Sequence, residues 1–183
     1  YTDRGAFMPS VAFSPVDFGM PPHQLESTDT AQLLALIAAK KVLEEATQGR
    51  ESIDKDRISV ILGVAIATEF VETMCGRMQA PVLERILAES GLDPAHAQDI
   101  LNRYKSSYVE WQESTFPGLL PNCIAGRIAN RFDLGGTNCV LDAACASSLA
   151  ALSMAVNELY LDQADLVITG GVDAFNHILM YMC

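Results

Sequence analysis

Cys145 is the residue whose surroundings point most directly to chemistry. It lies within Thr137-Asn138-Cys139-Val140-Leu141-Asp142-Ala143-Ala144-Cys145-Ala146-Ser147-Ser148-Leu149-Ala150-Ala151-Leu152. The front of this stretch, Cys139-Val140-Leu141, is a short apolar run after the turn signal Gly135-Gly136, and it predicts a strand. The back predicts a buried helix, because Ser147, Ser148, Ala150, Ala151, Ser153 and Ala155 are all small and let other elements approach closely. Cys145 falls between the two, at or near the first helical turn. Backbone N–H groups there have no intrahelical acceptor and carry partial positive charge. That favours the thiolate, which is the nucleophilic form, and the same donors can stabilise an oxyanion on a bound acyl group. A small thiol ahead of an Ala/Ser-rich helix also suits plain packing, since cysteine is among the most buried residue types. Spacing alone leaves both roles open.

The other residues capable of chemistry are scattered. Cysteines stand at 75, 123, 139, 145 and 183 with no CxxC pair, and no Cys/His cluster has zinc spacing. Such usage predicts reduced thiols and a cytoplasmic setting. His23 lies in a proline-bearing leader, His96 in a first helical turn, and His177 in Phe175-Asn176-His177-Ile178. Glu69 and Glu72 are spaced i, i+3 and read as a solvated helix face rather than an acid/base pair. Arg127 and Arg131, spaced i, i+4, have the spacing for an anion site but read as surface residues. Gly63 is followed by no second glycine and no Lys-Ser/Thr, so it is not part of a phosphate loop.

Elements that would hold Cys145 in place are legible on either side of it. Residues 1–25, with Pro9, Pro15, Pro21 and Pro22, predict an extended covering segment. Ser27-Thr28-Asp29 caps a helix to about Ala46. Ile58 to Val64 is a nearly continuous apolar run of strand length, as expected in a sheet covered on both faces. A helix from Pro81 to Ser90 ends at Gly91, and Asp93-Pro94 starts a longer one reaching about Trp111, with Leu101, Tyr104, Tyr108 and Trp111 as a packing stripe. Ser114 to Leu120 is expected as a loop, Pro121 to Phe132 as a helix, the segment after Cys145 as a helix to about Leu161, and Leu166-Val167-Ile168 as a strand ending at Gly170-Gly171. This alternation predicts an α/β layered fold with a largely parallel sheet.

Half of the 183 residues are hydrophobic, which allows one substantial core or a large subunit interface. No apolar run has the length and purity of a membrane span. Against 23 acidic residues there are 12 basic ones, a net charge of −11, which argues against nucleic acid and anionic membrane surfaces as partners. It also gives no support to docking of an acidic protein, except through a local basic patch. Tyr1-Thr2-Asp3-Arg4 has no signal-peptide pattern, and both ends read as cut within a larger domain.

The stretch Asp142-Ala143-Ala144-Cys145-Ala146-Ser147-Ser148-Leu149-Ala150-Ala151 resembles the active-site signature of β-ketoacyl synthases, the condensing domains of polyketide and fatty-acid synthases. Phe116-Pro117-Gly118 and Gly126-Arg127-Ile128-Ala129-Asn130-Arg131-Phe132-Asp133-Leu134-Gly135-Gly136 resemble the segment before that signature, and Ile168-Thr169-Gly170-Gly171-Val172-Asp173 the strand and turn after it. Phe18-Gly19-Met20-Pro21-Pro22 and Met180-Tyr181-Met182-Cys183 are similar to the synthases of polyunsaturated fatty acids and of heterocyst glycolipids. The resemblance implies a thiolase-like layered fold (αβαβα), of which residues 1–183 would be a partial domain, about the N-terminal half without its opening strand. It implies that Cys145 accepts an acyl chain from the phosphopantetheine arm of an acyl carrier protein and then condenses it with a malonyl thioester after loss of carbon dioxide. No cofactor would be bound directly. The implied partners are a carrier domain, other domains of a multidomain synthase and a second copy in a homodimer, with Cys139 and Val140 on a strand near the dimer interface.

In that family two histidines after the cysteine and a nearby lysine stabilise the enolate. Only His177 follows Cys145 here, in a context unlike either histidine motif, so the nucleophile is expected without the decarboxylation groups. Other readings remain. A thiolase-type or ketoacyl-synthase-III-like acyltransferase would share fold and cysteine, but Ala-Cys-Ala-Ser-Ser fits elongating synthases better. A cysteine hydrolase would need a histidine near Cys145. A non-catalytic chain-length-factor-like subunit would usually lack the cysteine.

Overall fold

Ile58-Ser59-Val60-Ile61-Leu62-Gly63 carries no charge, and as strand β1 (Ile58–Gly63) every residue of it is buried. A strand buried on both faces needs neighbours at both edges and helices above and below. In the computed structural model, which describes residues 8–49, 53–65 and 69–174, β1 has both. It is the centre of a parallel three-stranded sheet in the order β2-β1-β3, with β2 at Asn138–Leu141 and β3 at Leu166–Gly171. The register sets Ile61 beside Cys139 and Thr169, and Gly63 beside Leu141 and Gly171. The three strands therefore end level at their carboxyl side.

Alternation along β1 divides the core. Ile58, Val60 and Leu62 pack with Ala31, Ala35, Leu36 and Ala39 of α1 (Thr30–Thr47) and with Ile124, Ala125, Ile128 and Ala129 of α6 (Cys123–Phe132). Ile61 points the other way, onto Ala151 and Ala155 of α7 (Ser147–Tyr160), with Cys139, Leu141 and Val167 around it. Full burial of each such isoleucine or valine stabilises the fold by roughly 1.5–3 kcal/mol. The layering follows from handedness. The step from β1 to β2 and the step from β2 back across β1 to β3 run in opposite directions. Right-handed crossovers then place α6 and α7 on opposite faces.

Local chemistry fixes the remaining elements. Asp29 caps α1, its carboxylate accepting from the Ala31 N–H at 2.9 Å. Gln32 of α1 is buried, and its Nε2 donates to the carbonyls of Pro117, Gly118 and Leu120. Three further helices, α2 (Glu69–Met78), α3 (Ala80–Glu89) and α4 (Pro94–Ser106), follow β1, with Asp93 capping α4 through the Ala95 and His96 N–H groups. The leader does cover the core: Phe13 and Phe18 stack at 4.9 Å and Met20 is buried. It is not wholly extended, since it forms 3-10 turns at Val16–Phe18 and Pro22–Ser27.

Three expectations are corrected. The helix expected to reach Trp111 stops at Ser106, where the Ser107 hydroxyl returns to the Arg103 carbonyl at 2.8 Å. Tyr104 and Tyr108 still pack edge to face, but Trp111 lies beyond the helix and is exposed. The expected loop at 114–120 contains a short helix, α5 (Thr115–Leu119). Pro117 does not prevent it, because N–H groups in a first turn have no intrahelical acceptor to lose. Finally, α7 is buried only on the side of Ser147, Ala151, Ala155 and Glu158, and exposes Leu149, Leu152, Val156 and Leu159. The α/β layered architecture itself is as expected.

Candidate active site

The level ends of the three strands form a platform, and α7 begins directly on it. Gly63 and Gly171, paired in the register, leave the room: a Cβ on Gly63 would lie 2.5 Å from the Ser147 carbonyl oxygen and the Ser148 nitrogen, and one on Gly171 would lie 2.9 Å from the Ser148 Cβ. The chain leaves β2 at Leu141 and enters α7 at Ser147, so Asp142 to Ala146 must reverse direction within five residues. They do so in a tight turn closed by the Ala146 N–H on the Ala143 carbonyl at 3.0 Å. Ala144 has φ 49°, a left-handed conformation that costs an alanine about 1–2 kcal/mol. Cys145, the next residue, stands exposed at the tip.

Two side chains hold this turn. Asp142 accepts from the Ala144 N–H at 2.9 Å. The Ser147 hydroxyl accepts from the Ala143 N–H at 2.8 Å and donates to the Ala144 carbonyl at 2.7 Å. The first donor of α7, the Ser147 N–H, goes to the Ala144 carbonyl at 3.1 Å; no side chain caps the helix at Ala146, which leaves the later first-turn donors on the side where Cys145 sits. Ligands of open parallel sheets bind outside the carboxyl ends of the strands, and Cys145 occupies that position. Neither Asp142 nor Ser147 was singled out from sequence. The signal was a turn-forming Asp and Ser on either side of a residue run too short for a regular connection.

The other thiols are placed differently. Cys139 is half-buried on the α7 side of the sheet, and burial, with the nearby Glu158 carboxylate, pushes its thiol above the ordinary range. Cys75 is exposed on α2 and Cys123 is half-buried in α6 beside Arg127. The four described cysteines are free thiols. Arg127 is not the surface residue expected. Its Nε is buried without a hydrogen-bond partner among the described residues, and burial lowers its pKa. Arg131 donates to the Asp17 carbonyl and so ties the leader to α6. His23 lines a cleft with Gln24, Gln112, Glu113 and Arg127, and His96 is exposed in the first turn of α4. His177 and Cys183 lie outside the described residues, as do the side chains of Glu69 and Glu72. Among the described residues no three His, Cys, Asp or Glu side chains could together hold a metal ion, and no helix is long and apolar enough to cross a membrane.

Residues 1–183 match, from end to end, the protein family described as "Beta-ketoacyl synthase, N-terminal domain". The chain belongs to the β-ketoacyl synthase family. Over 182 residues it is 35% identical to a polyunsaturated fatty acid synthase subunit of Thraustochytrium sp., covering 100% of this chain and 6% of that protein. It is 28% identical over 168 residues to a non-reducing polyketide synthase of Byssochlamys spectabilis, covering 90% of this chain and again 6% of the relative. Among solved structures, an oxazolomycin ketosynthase domain superposes with a TM-score of 0.63 at 22% identity, covering 93% of this chain and 24% of that one. The ishigamide ketosynthase/chain length factor superposes with a TM-score of 0.60 at 21% identity, covering 93% and 41%. These likenesses show the ketosynthase, thiolase-like fold, of which this chain spans a part.

Proposed function

We propose that this chain supplies the acyl-accepting half of a condensing site, with Cys145 as the nucleophile, in a synthase of fatty-acid or polyketide type. The Cys145 thiolate attacks the carbonyl of an acyl thioester carried on the phosphopantetheine arm of an acyl carrier protein. A tetrahedral oxyanion forms, the carrier thiol leaves, and the acyl group remains on Sγ. A malonyl thioester then loses carbon dioxide, its carbanion attacks the acyl-cysteine carbonyl, and the Cys145 thiolate departs as the new carbon–carbon bond is complete. No residue of this chain is assigned to the decarboxylation.

One observation carries this reading: among the described cysteines Cys145 alone combines exposure with a place at the strand ends, directly ahead of a 14-residue helix that no side chain caps. Membership of the family and similarity to a polyunsaturated fatty acid synthase support the substrate class. A homodimer accords with β2 lying at a sheet edge, and a cytoplasmic setting with the free thiols. In the intact synthase, an acyl-carrier thioester should label Cys145 in preference to Cys75, Cys123 or Cys139 on peptide mapping, and Cys145→Ala should abolish condensation. A label on another cysteine would overturn the assignment.

A further inference from the structure

We propose that Ser147 is a positioning residue for Cys145, with Asp142 as its companion; the inference rests on the reading that Cys145 takes the acyl group. The two peptide units on either side of Ala144 decide where the thiol points. Each is held by a side chain in addition to one backbone bond of the turn, the Ala146 N–H on the Ala143 carbonyl at 3.0 Å and the Ser147 N–H on the Ala144 carbonyl at 3.1 Å. Ser147 uses both capacities of its hydroxyl, one proton and a lone pair, on the Ala143 N–H and the Ala144 carbonyl. Asp142 takes the Ala144 N–H. Together they close the left-handed residue at φ 49° that immediately precedes the nucleophile. Ser147 is 5% exposed, so solvent has little access to replace its hydroxyl.

Without the side-chain bonds only the two backbone bonds oppose a return of Ala144 to negative φ, a change that rotates the Ala144–Cys145 peptide. The thiol then swings away from the first-turn N–H groups of α7. Two consequences follow together. The thiolate loses favourable partial charges, and the attacking sulfur and the oxyanion donors lose their shared alignment. A misplacement of about 1 Å is enough to slow a reaction about 100-fold. Ser148 is the internal comparison: it is adjacent in sequence and also in the first turn, but it is exposed.

The test uses the intact synthase with Ser147→Ala, Ser148→Ala, Asp142→Ala and Asp142→Asn, beside Cys145→Ala. Acyl transfer from an acyl-carrier thioester is followed together with the pH profile of iodoacetamide alkylation at Cys145. Ser147→Ala is expected to slow acyl transfer by about 10- to 100-fold with little change in KM, and to move the alkylation midpoint to higher pH. Ser148→Ala should match the parent. Asp142→Ala should show the same two changes more weakly, and Asp142→Asn, which keeps the accepting oxygen, should restore both. A Ser147→Ala protein with unchanged rate and midpoint would overturn the proposal. So would a rate loss that only tracks the loss of folded protein while the midpoint stays fixed. Should Ser147→Ala fail to fold, the exposed Asp142 pair decides the matter by the same readouts. Acylation that survives Cys145→Ala would instead overturn the reading of Cys145 itself.

Discussion

Ala144 carries a strain that its neighbours maintain, and the strain can be read out as stability. Glycine adopts φ 49° without the Cβ penalty but loses more chain entropy on folding. Ala144→Gly in the intact domain should therefore be neutral or stabilising by up to about 1 kcal/mol, whereas the β-branched Ala144→Val should destabilise by about 1–3 kcal/mol. Urea denaturation of both variants checks the pair, and a tolerated valine would mean that Ala144 is unstrained. The thiols give a second residue-scale expectation. Burial and the Glu158 carboxylate raise the Cys139 pKa, so at any pH below that value less of it is thiolate than of an ordinary thiol. Alkylation near pH 8 should label Cys145 well before Cys139, and raising the pH should narrow the gap. Equal rates at pH 8, measured by mass spectrometry, would contradict the placement of Cys139 under α7. Cys145 was legible in sequence because the strand signal, the small-residue helix and the cysteine are consecutive. Ser147 and Asp142 were not, because their function lies in bonds to backbone groups that exist only once the turn has formed.

At the scale of elements, the approach of α7 to the sheet depends on missing side chains. Gly63→Ala would press a methyl group against the backbone of Ser147 and Ser148, displacing the first turn of α7, and should destabilise the domain by about 1–3 kcal/mol. It should also slow acylation of Cys145. Gly126→Ala in α6, where the nearest atom to a new Cβ is 3.8 Å away, should stabilise by up to about 1 kcal/mol and leave acylation unchanged. Equal behaviour of the two variants would disprove the platform. The strand β2 offers a further test. Its bonds to β1 use the carbonyls of Thr137 and Leu141, so by the alternation of a parallel ladder the Val140 N–H faces the open edge. Val140 is also half-buried against the α1–α6 core, which makes a charge there a test of folding rather than of association. Val140→Pro removes only the outward donor, as edge strands tolerate, and should shift a β2-paired dimer toward monomer in sedimentation. An unchanged dimer would place the interface elsewhere. The strands were readable from apolar runs. The end of α4 and the presence of α5 were not, since both are decided by where particular backbone groups find partners, the Arg103 carbonyl and the acceptor-free N–H groups around Pro117.

Across the whole molecule, the small-residue pattern of α7 announced burial, and the described structure meets half of that expectation. Ala151 and Ala155 are sealed against the sheet, while Leu149 is 70% exposed, Leu152 47% and Val156 39%. These residues recur at i, i+3 and i+7, the spacing of a helix seam that packs against another helix. A contiguous apolar stripe of this kind is a site of association in an isolated chain, and the ketosynthase structures that share the fold are longer, with this chain covering 24% and 41% of the two cited above. Residues 1–183 expressed alone should therefore self-associate through α7. Leu149→Glu with Leu152→Glu should return them toward monomer by removing the stripe, while the same pair in the intact synthase should impair folding by burying charge. The isolated segment should also form no β-ketoacyl product from acyl- and malonyl-carrier protein. It holds the proposed nucleophile Cys145, yet His23 lines the cleft beside Arg127 and His96 lies on α4, and neither is assigned to the enolate. Loss of one such stabilising donor already costs about 3–4 kcal/mol. Product from the isolated segment would show that the condensing machinery is complete within these residues. A soluble monomer that unfolds cooperatively would show that the α7 stripe needs no cover.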